Sequence, residues 1–263
     1  MIAKREALAL TASRHNTLVL TEALPLKSSV DREYSAYYVR RFSCLLKQAN
    51  PNTRVYLYQS WVNFQAGDAN AKYPPIHRFD WRAEMLAQRA DWETLADAAA
   101  LPEVRAPGWL DRIGWTSHGD GGCRNSDPVH IIPVGSVLIA VSDRIKRPQP
   151  GDSFLRADGT QMTMADLFAN PYIDWPPEWP IISSNAPEVM LTLKHSNKPH
   201  DDIHPSALGV YVAGLVHFAT LYGQSPVGLP SPPELGSDLA HTLQSVVWET
   251  VTRDLRSGVP PSN

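Results

Sequence analysis

Asp201 and His204 stand three residues apart in the run DDIHPS (201–206). A carboxylate held against one imidazole nitrogen fixes the tautomer and stabilises the imidazolium. The other nitrogen is then free to take a proton from a hydroxyl and return it to a leaving group. That is the chemistry of acyl transfer through an activated serine, which also needs a nucleophile and oxyanion donors. The same six residues suit a helix start, because Pro205 and Ser206 fit a first turn and acidic groups there complement the helix dipole. Asp-x-x-His recurs by chance, so the elements around it have to decide.

Those elements alternate. TLVLTE (17–22), RVYLYQSW (54–61) and VHII at the start of 129–141 are short apolar runs of the kind found in buried parallel strands. Helical patterns lie over 3–14, 31–49, 80–100, 206–222 and about 234–256. In 31–49 the stripe is Tyr34, Tyr38, Phe42 and Leu45. In 206–222 it is Leu208, Tyr211, Leu215, Phe218 and Tyr222, with Gly223 as the stop. Pro133–Gly135 turns the third strand into a further helix. A short strand is expected at 189–193 and a short helix around 163–169. The alternation predicts a single α/β domain with helices on both faces of a parallel sheet, and an irregular insertion at about 146–187. In such sheets sites collect at the carboxyl ends of the strands, here after Thr21, Ser60 and Pro133, with DDIHPS as a fourth contributor.

Composition narrows the function classes. The chain has 263 residues, 43% of them hydrophobic, and a net charge of −3. No basic surface for nucleic acid is indicated, and no apolar run approaches the ~20 residues needed to cross a bilayer. The first residues lack the features of a secretory signal, which implies a cytoplasmic protein if Met1 is the true start. Cys44 and Cys123 are too few for a disulfide framework; Cys44 reads as a small buried residue, and one bond between the two stays open. The oligomeric state is not legible.

The run D-D-I-H-P-S-A-L-G-V-Y, continuing into H-F-A-T-L-Y-G-Q-S-P-V-G-L, resembles the C-terminal block of bacterial SGNH (GDSL-like) hydrolases. LVLTEA (18–23), RVYLYQSW (54–61) and HIIPVG (130–135) resemble later strands of the same sheet. The resemblance implies a three-layer, flavodoxin-like α/β/α fold lacking its first strands. It implies a serine esterase, or an acyl ester hydrolase or transferase, with Asp201 and His204 as triad members. A small-molecule or carbohydrate ester would be the substrate, and no cofactor is required. The chain departs from the family at its front. No Gly-Asp-Ser-like block precedes LVL, and Thr21-Glu22-Ala23 stands where Gly-x-Asn-Asp is expected. The literal Gly-Asp-Ser at 151–153 lies in a polar turn segment, without the strand-to-helix elbow a nucleophile needs. Ser153 is therefore a poor candidate, and the nucleophile is unassigned. Either the serine block lies upstream of this chain, or the protein is a non-catalytic relative that holds a glycan or small ester.

Thr21, Glu22, Ser60 and Trp61 are the candidate substrate-binding residues, at the carboxyl ends of the first two strands. Each has a plainer reading: Thr21 satisfying a neighbouring strand, Glu22 capping a loop, Trp61 packed in the core. His195, His200 and His204 with Asp201 offer zinc-type ligands, but their spacing matches no familiar metal motif, so no metal is assigned. His217 reads as a packed helix residue, and Trp175 and Trp179 as a proline-held loop. Arg40, Arg41 and Lys47 read as a solvated helix face.

Overall fold

A computed structural model of the chain describes residues 15–22, 26–27, 30, 34–62, 64, 80–101, 127–170 and 201–261, with 170 and 201–203 described through the main chain alone. Strands β1 (Thr17–Leu20), β2 (Arg54–Tyr58) and β3 (Val129–Ile132) lie parallel in the order β1-β2-β3. Leu18 faces Val55, and Val55 faces Val129. Side chains alternate across the sheet, so its two faces build two cores. Val55, Leu57, Val129 and Ile131 pack with Val39 of helix α1 (Ser35–Ala49) and with Trp92 and Leu95 of α2 (Trp81–Ala100). Tyr56 and Ile132 pack on the other side with α3 (Val134–Lys146), α4 (Ala207–Tyr222) and α5 (Ser237–Arg253). The fold is thus α/β with a parallel sheet, as the alternation predicts; β2 and β3 are covered on both faces, and Val19 of β1 is exposed.

Local chemistry sets the helix ends. The Asp80 carboxylate caps α2 by accepting the Ala83 N–H at 3.1 Å, and Glu84 in the first turn complements the dipole. At the end of α4, Gly223 takes the left-handed conformation at φ 63° and returns its N–H to the Ala219 carbonyl at 3.0 Å. Beyond α5 the chain comes back to the sheet. The Ile131 N–H donates to the Arg256 carbonyl at 2.7 Å, so this segment lies along the outer edge of β3, with Ser257 and Val259 buried.

Several expectations need correction. Helix α1 begins at Ser35, because Tyr34 sits in the left-handed region at φ 58°. Its buried side is Ser35, Val39, Arg40, Ser43 and Cys44, while Phe42 is exposed. Arg40 is therefore no solvated residue: it is 3% exposed and donates to the Leu101 carbonyl, which closes the C-terminal end of α2. The apolar stripe of α4 is also rotated from the expected one. Val212, Leu215, Val216 and Ala219 are buried, and Tyr222 is out in solvent. A helix that is apolar nearly all round gives no unique face to a periodicity argument. The last helix starts later than expected, because Gly236 at φ 73° separates it from a single 3-10 turn at Pro233–Leu235.

Within the irregular segment a 3-10 turn at Met164–Leu167 matches the expected short helix, and it runs into β4 (Phe168–Asn170). The run before Ser206 is itself a strand, β5 (Asp201–Pro205), antiparallel to β4. The expected helix at 3–14 and strand at 189–193 lie outside the described residues. Cys44 is buried as expected and is disulfide-bonded.

Candidate functional site

The direction of α4 decides where DDIHPS sits. Arg54, at the start of β2, donates to the Leu221 carbonyl near the end of α4 at 3.0 Å. The His217 ring lies 5.0 Å from that of Tyr58, at the end of β2. Helix and strand therefore run in opposite directions. Ser206 precedes His217 by eleven residues, about 16 Å along a helix axis. It lies beyond the carboxyl end of the strand. A ring stack ties the same region to the loop after β2. Phe64 lies 4.9 Å from Phe168 and nearly parallel to it, Phe168 pairs with Pro205, and Trp81 closes on Phe64 edge-on.

The helix-start reading of DDIHPS holds for its second half. The Ser206 hydroxyl accepts the Gly209 N–H at 3.2 Å and donates to the Asp166 carbonyl at 2.6 Å. Its own N–H donates to the Leu167 carbonyl at 2.9 Å. The first half is not the turn the sequence suggests. A regular strand would set positions three apart on opposite faces. Here Phe168 pairs with Pro205 and Asn170 with Asp201, so two steps along β4 match four along β5. The excess makes a bulge, which breaks the alternation and re-aims side chains. His204 is exposed at this bulge. Asp201 is placed through its main chain, opposite Asn170.

The other candidates separate clearly. Thr21 is exposed and donates its hydroxyl to the Tyr58 carbonyl at 3.2 Å, so it joins the ends of β1 and β2. Glu22 accepts the hydroxyl of buried Ser35 at 2.5 Å, across the loop between β1 and α1. Trp61 is 9% exposed and meets Tyr58 edge-on at 6.4 Å, making it core in the main. Ser60 is partly exposed at the same strand end, and its carbonyl lies against Gly135. Ser153 belongs to a fixed loop: its N–H donates to the Thr242 hydroxyl at 2.9 Å, and the neighbouring Asp152 is bound to Arg144. His217 is the packed residue expected, with Nδ1 at 2.8 Å from the Ala213 carbonyl. His195, His200, Trp175 and Trp179 lie outside the described residues. Among the described residues no cluster of three or more His, Cys, Asp or Glu is arranged to hold a metal.

A polar network behind the strand ends escaped the sequence reading. Gln59, fully buried, follows β2 directly. Its side-chain oxygen accepts the Ser136 hydroxyl at 3.0 Å and Arg89 Nη1 at 3.2 Å, and its carbonyl accepts the Gly135 N–H at 3.2 Å. Arg89 also binds Asp254 at 2.8 Å, with both side chains near a tenth exposed. The Gln59 Nε2 is buried without a hydrogen-bond partner among the described residues. Any side chain at 135 would press on Gln59, Met85 and the Ser60 carbonyl, which explains the glycine. The only sequence signal was a glutamine at the end of an apolar strand. Burial pushes the hydroxyl of Tyr58, whose ring packs near Trp61 and His217, up to about 12.

Comparison with protein-family models, curated proteins and solved structures finds no match for this chain.

Proposed function

We propose that the protein is an acyl-ester hydrolase or acyltransferase of SGNH type, with His204 as general base and then acid and Asp201 as the group that orients it. The observation that carries the reading is the opposed direction of α4 and β2, which sets DDIHPS beyond the carboxyl ends of a parallel sheet. The bulge in β5 supports it, since bulges re-aim side chains and recur beside active sites. In the proposed reaction a serine oxygen attacks the ester carbonyl carbon while His204 takes the hydroxyl proton. The tetrahedral intermediate expels the alcohol, which receives that proton, and leaves an acyl-serine. Water, or an acceptor alcohol, repeats the sequence to release the acyl group. Ser60 and the exposed edge of Trp61 would border a small or carbohydrate ester. The rigid Gln59 network would hold that strand end in place.

The nucleophile is the open role. The hydroxyls of Ser35, Ser136 and Ser206 are directed to Glu22, Gln59 and the Asp166 carbonyl. These commitments favour a second reading, a hydrolase-like protein that binds a glycan or small ester without cleaving it. Fluorophosphonate labelling followed by peptide mass analysis separates the two. The hydrolase reading expects one labelled serine in the parent chain and none in His204→Ala. A parent chain that takes no label but binds acetylated sugars saturably would support the binding reading instead.

A further inference from the structure

The opposite end of the sheet holds a concavity, at the amino ends of β2 and β3. It has a volume of about 280 Å³, and its wall includes Lys47, Asn52, Arg54, Asp127, Pro128 and His130. Three of these side chains are basic and come from three elements: the last turn of α1, the first residue of β2 and the second residue of β3. Each is held. Arg54 lies 5.7 Å over the Tyr56 ring and donates to the Leu221 carbonyl. The His130 ring is tilted 5.3 Å from Tyr56, and Gly258 packs against its edge. Lys47 is paired with Asp127 at 2.5 Å, but the two differ in position: the lysine side chain is 11% exposed, the aspartate 62%. Lys47 therefore sits inward and Asp127 outward, while Arg54 is exposed at the mouth.

We propose that this cavity binds a phosphoryl group, either free phosphate or the head of a phosphate monoester. Among the described residues of the wall, Lys47 and Arg54 outnumber Asp127. Guanidinium and ammonium suit a tetrahedral anion, and the neutral His130 ring can add one N–H donor. The Asn52 amide adds a neutral donor, and Pro128 offers an apolar rim for an ester group. The pKa of His130 responds to burial first and to the positive charges of Arg54 and Lys47 second, both lowering it, while a hydrogen bond to the Arg256 backbone acts the other way. A bound dianion would offset those charges, so ligand and proton would bind cooperatively.

The test is an NMR titration of the His130 ring protons in the full chain, in phosphate, in phenyl phosphate and in chloride at matched ionic strength. The His130 pKa is expected to rise by about one unit in phosphate, which corresponds to a tenfold preference of the ligand for the protonated ring. Arg54→Gln and Lys47→Gln should each weaken binding at least tenfold. Asp127→Asn should strengthen it, a gain that a folding defect would not produce. Phenyl phosphate binding tighter than phosphate identifies a monoester site, and equal binding identifies free phosphate. A His130 pKa unchanged by both ligands overturns the proposal, as does an equal rise in parent and Arg54→Gln.

Discussion

Arg144 holds Asp152 by two hydrogen bonds, Nε to one carboxylate oxygen at 2.8 Å and Nη2 to the other at 3.0 Å. Asp152 also accepts the Gln149 N–H at 2.7 Å, and Arg144 reaches on to Glu249 in α5. The Gly-Asp-Ser run at 151–153 is thus a clasp between α3 and α5. It lies in a loop rather than at a strand-to-helix elbow.

Asp152→Ala should therefore cost about 1–3 kcal/mol, because it leaves a largely buried guanidinium short of its main partner. Burial raises the Asp152 pKa, but the bonds from Arg144 and Gln149 outweigh it and hold the carboxyl below the usual aspartate value. A depressed carboxyl stabilises the fold above its unfolded pKa, and that contribution is lost as pH falls through the lower folded value. Chemical denaturation between pH 5 and pH 2 should show a smaller acid loss in Asp152→Ala than in the parent.

Gly209 tests the docking of α4. A Cβ there would stand 2.1 Å from the Leu167 carbonyl oxygen and 2.9 Å from the Pro205 Cβ. Helix propensity alone favours Gly→Ala by about 1 kcal/mol, and overpacking against backbone costs about 1–3. Gly209→Ala should be net destabilising in thermal unfolding. The exposed Gly214→Ala, with open space around it, should be neutral or stabilising.

Arg89 links α2, the end of β2 and the segment after α5. Its removal would take the ion-pair partner from Asp254, 11% exposed, leaving it the Arg256 N–H, and would remove one bond accepted by Gln59. Arg89→Met should cost about 2–4 kcal/mol in urea unfolding. If the network positions the strand end, it should also change KM for any ester substrate.

Cys44 is disulfide-bonded, and the sequence holds one other cysteine, Cys123. A non-reducing peptide map should find those two peptides joined. Reduction, or Cys44→Ala, should lower stability by about 2–4 kcal/mol.

The fold was legible where one rule sufficed. The three apolar runs became β1, β2 and β3; β2 and β3 are buried on both faces, as continuous hydrophobicity suggests, while Val19 of β1 is exposed. The Gly223 stop marked the end of α4 through a local bond. Side-chain placement was less legible. Arg40 is buried because Leu101, sixty-one positions later, supplies its acceptor, and the Gln59–Arg89–Asp254 network joins residues 30 and 165 positions apart. DDIHPS was half legible. Ser206 caps α4 as its type suggests, but β5 exists only through pairing with β4, which no local pattern announces.

The central claim is that His204 is the general base of an ester-cleaving site, and p-nitrophenyl acetate turnover tests it most directly. The account predicts turnover above buffer by the parent chain, a fall of about 10²- to 10⁴-fold in His204→Ala, and an unchanged rate in Ser153→Ala. Equal rates in the parent and His204→Ala, with both folded by circular dichroism, would contradict it.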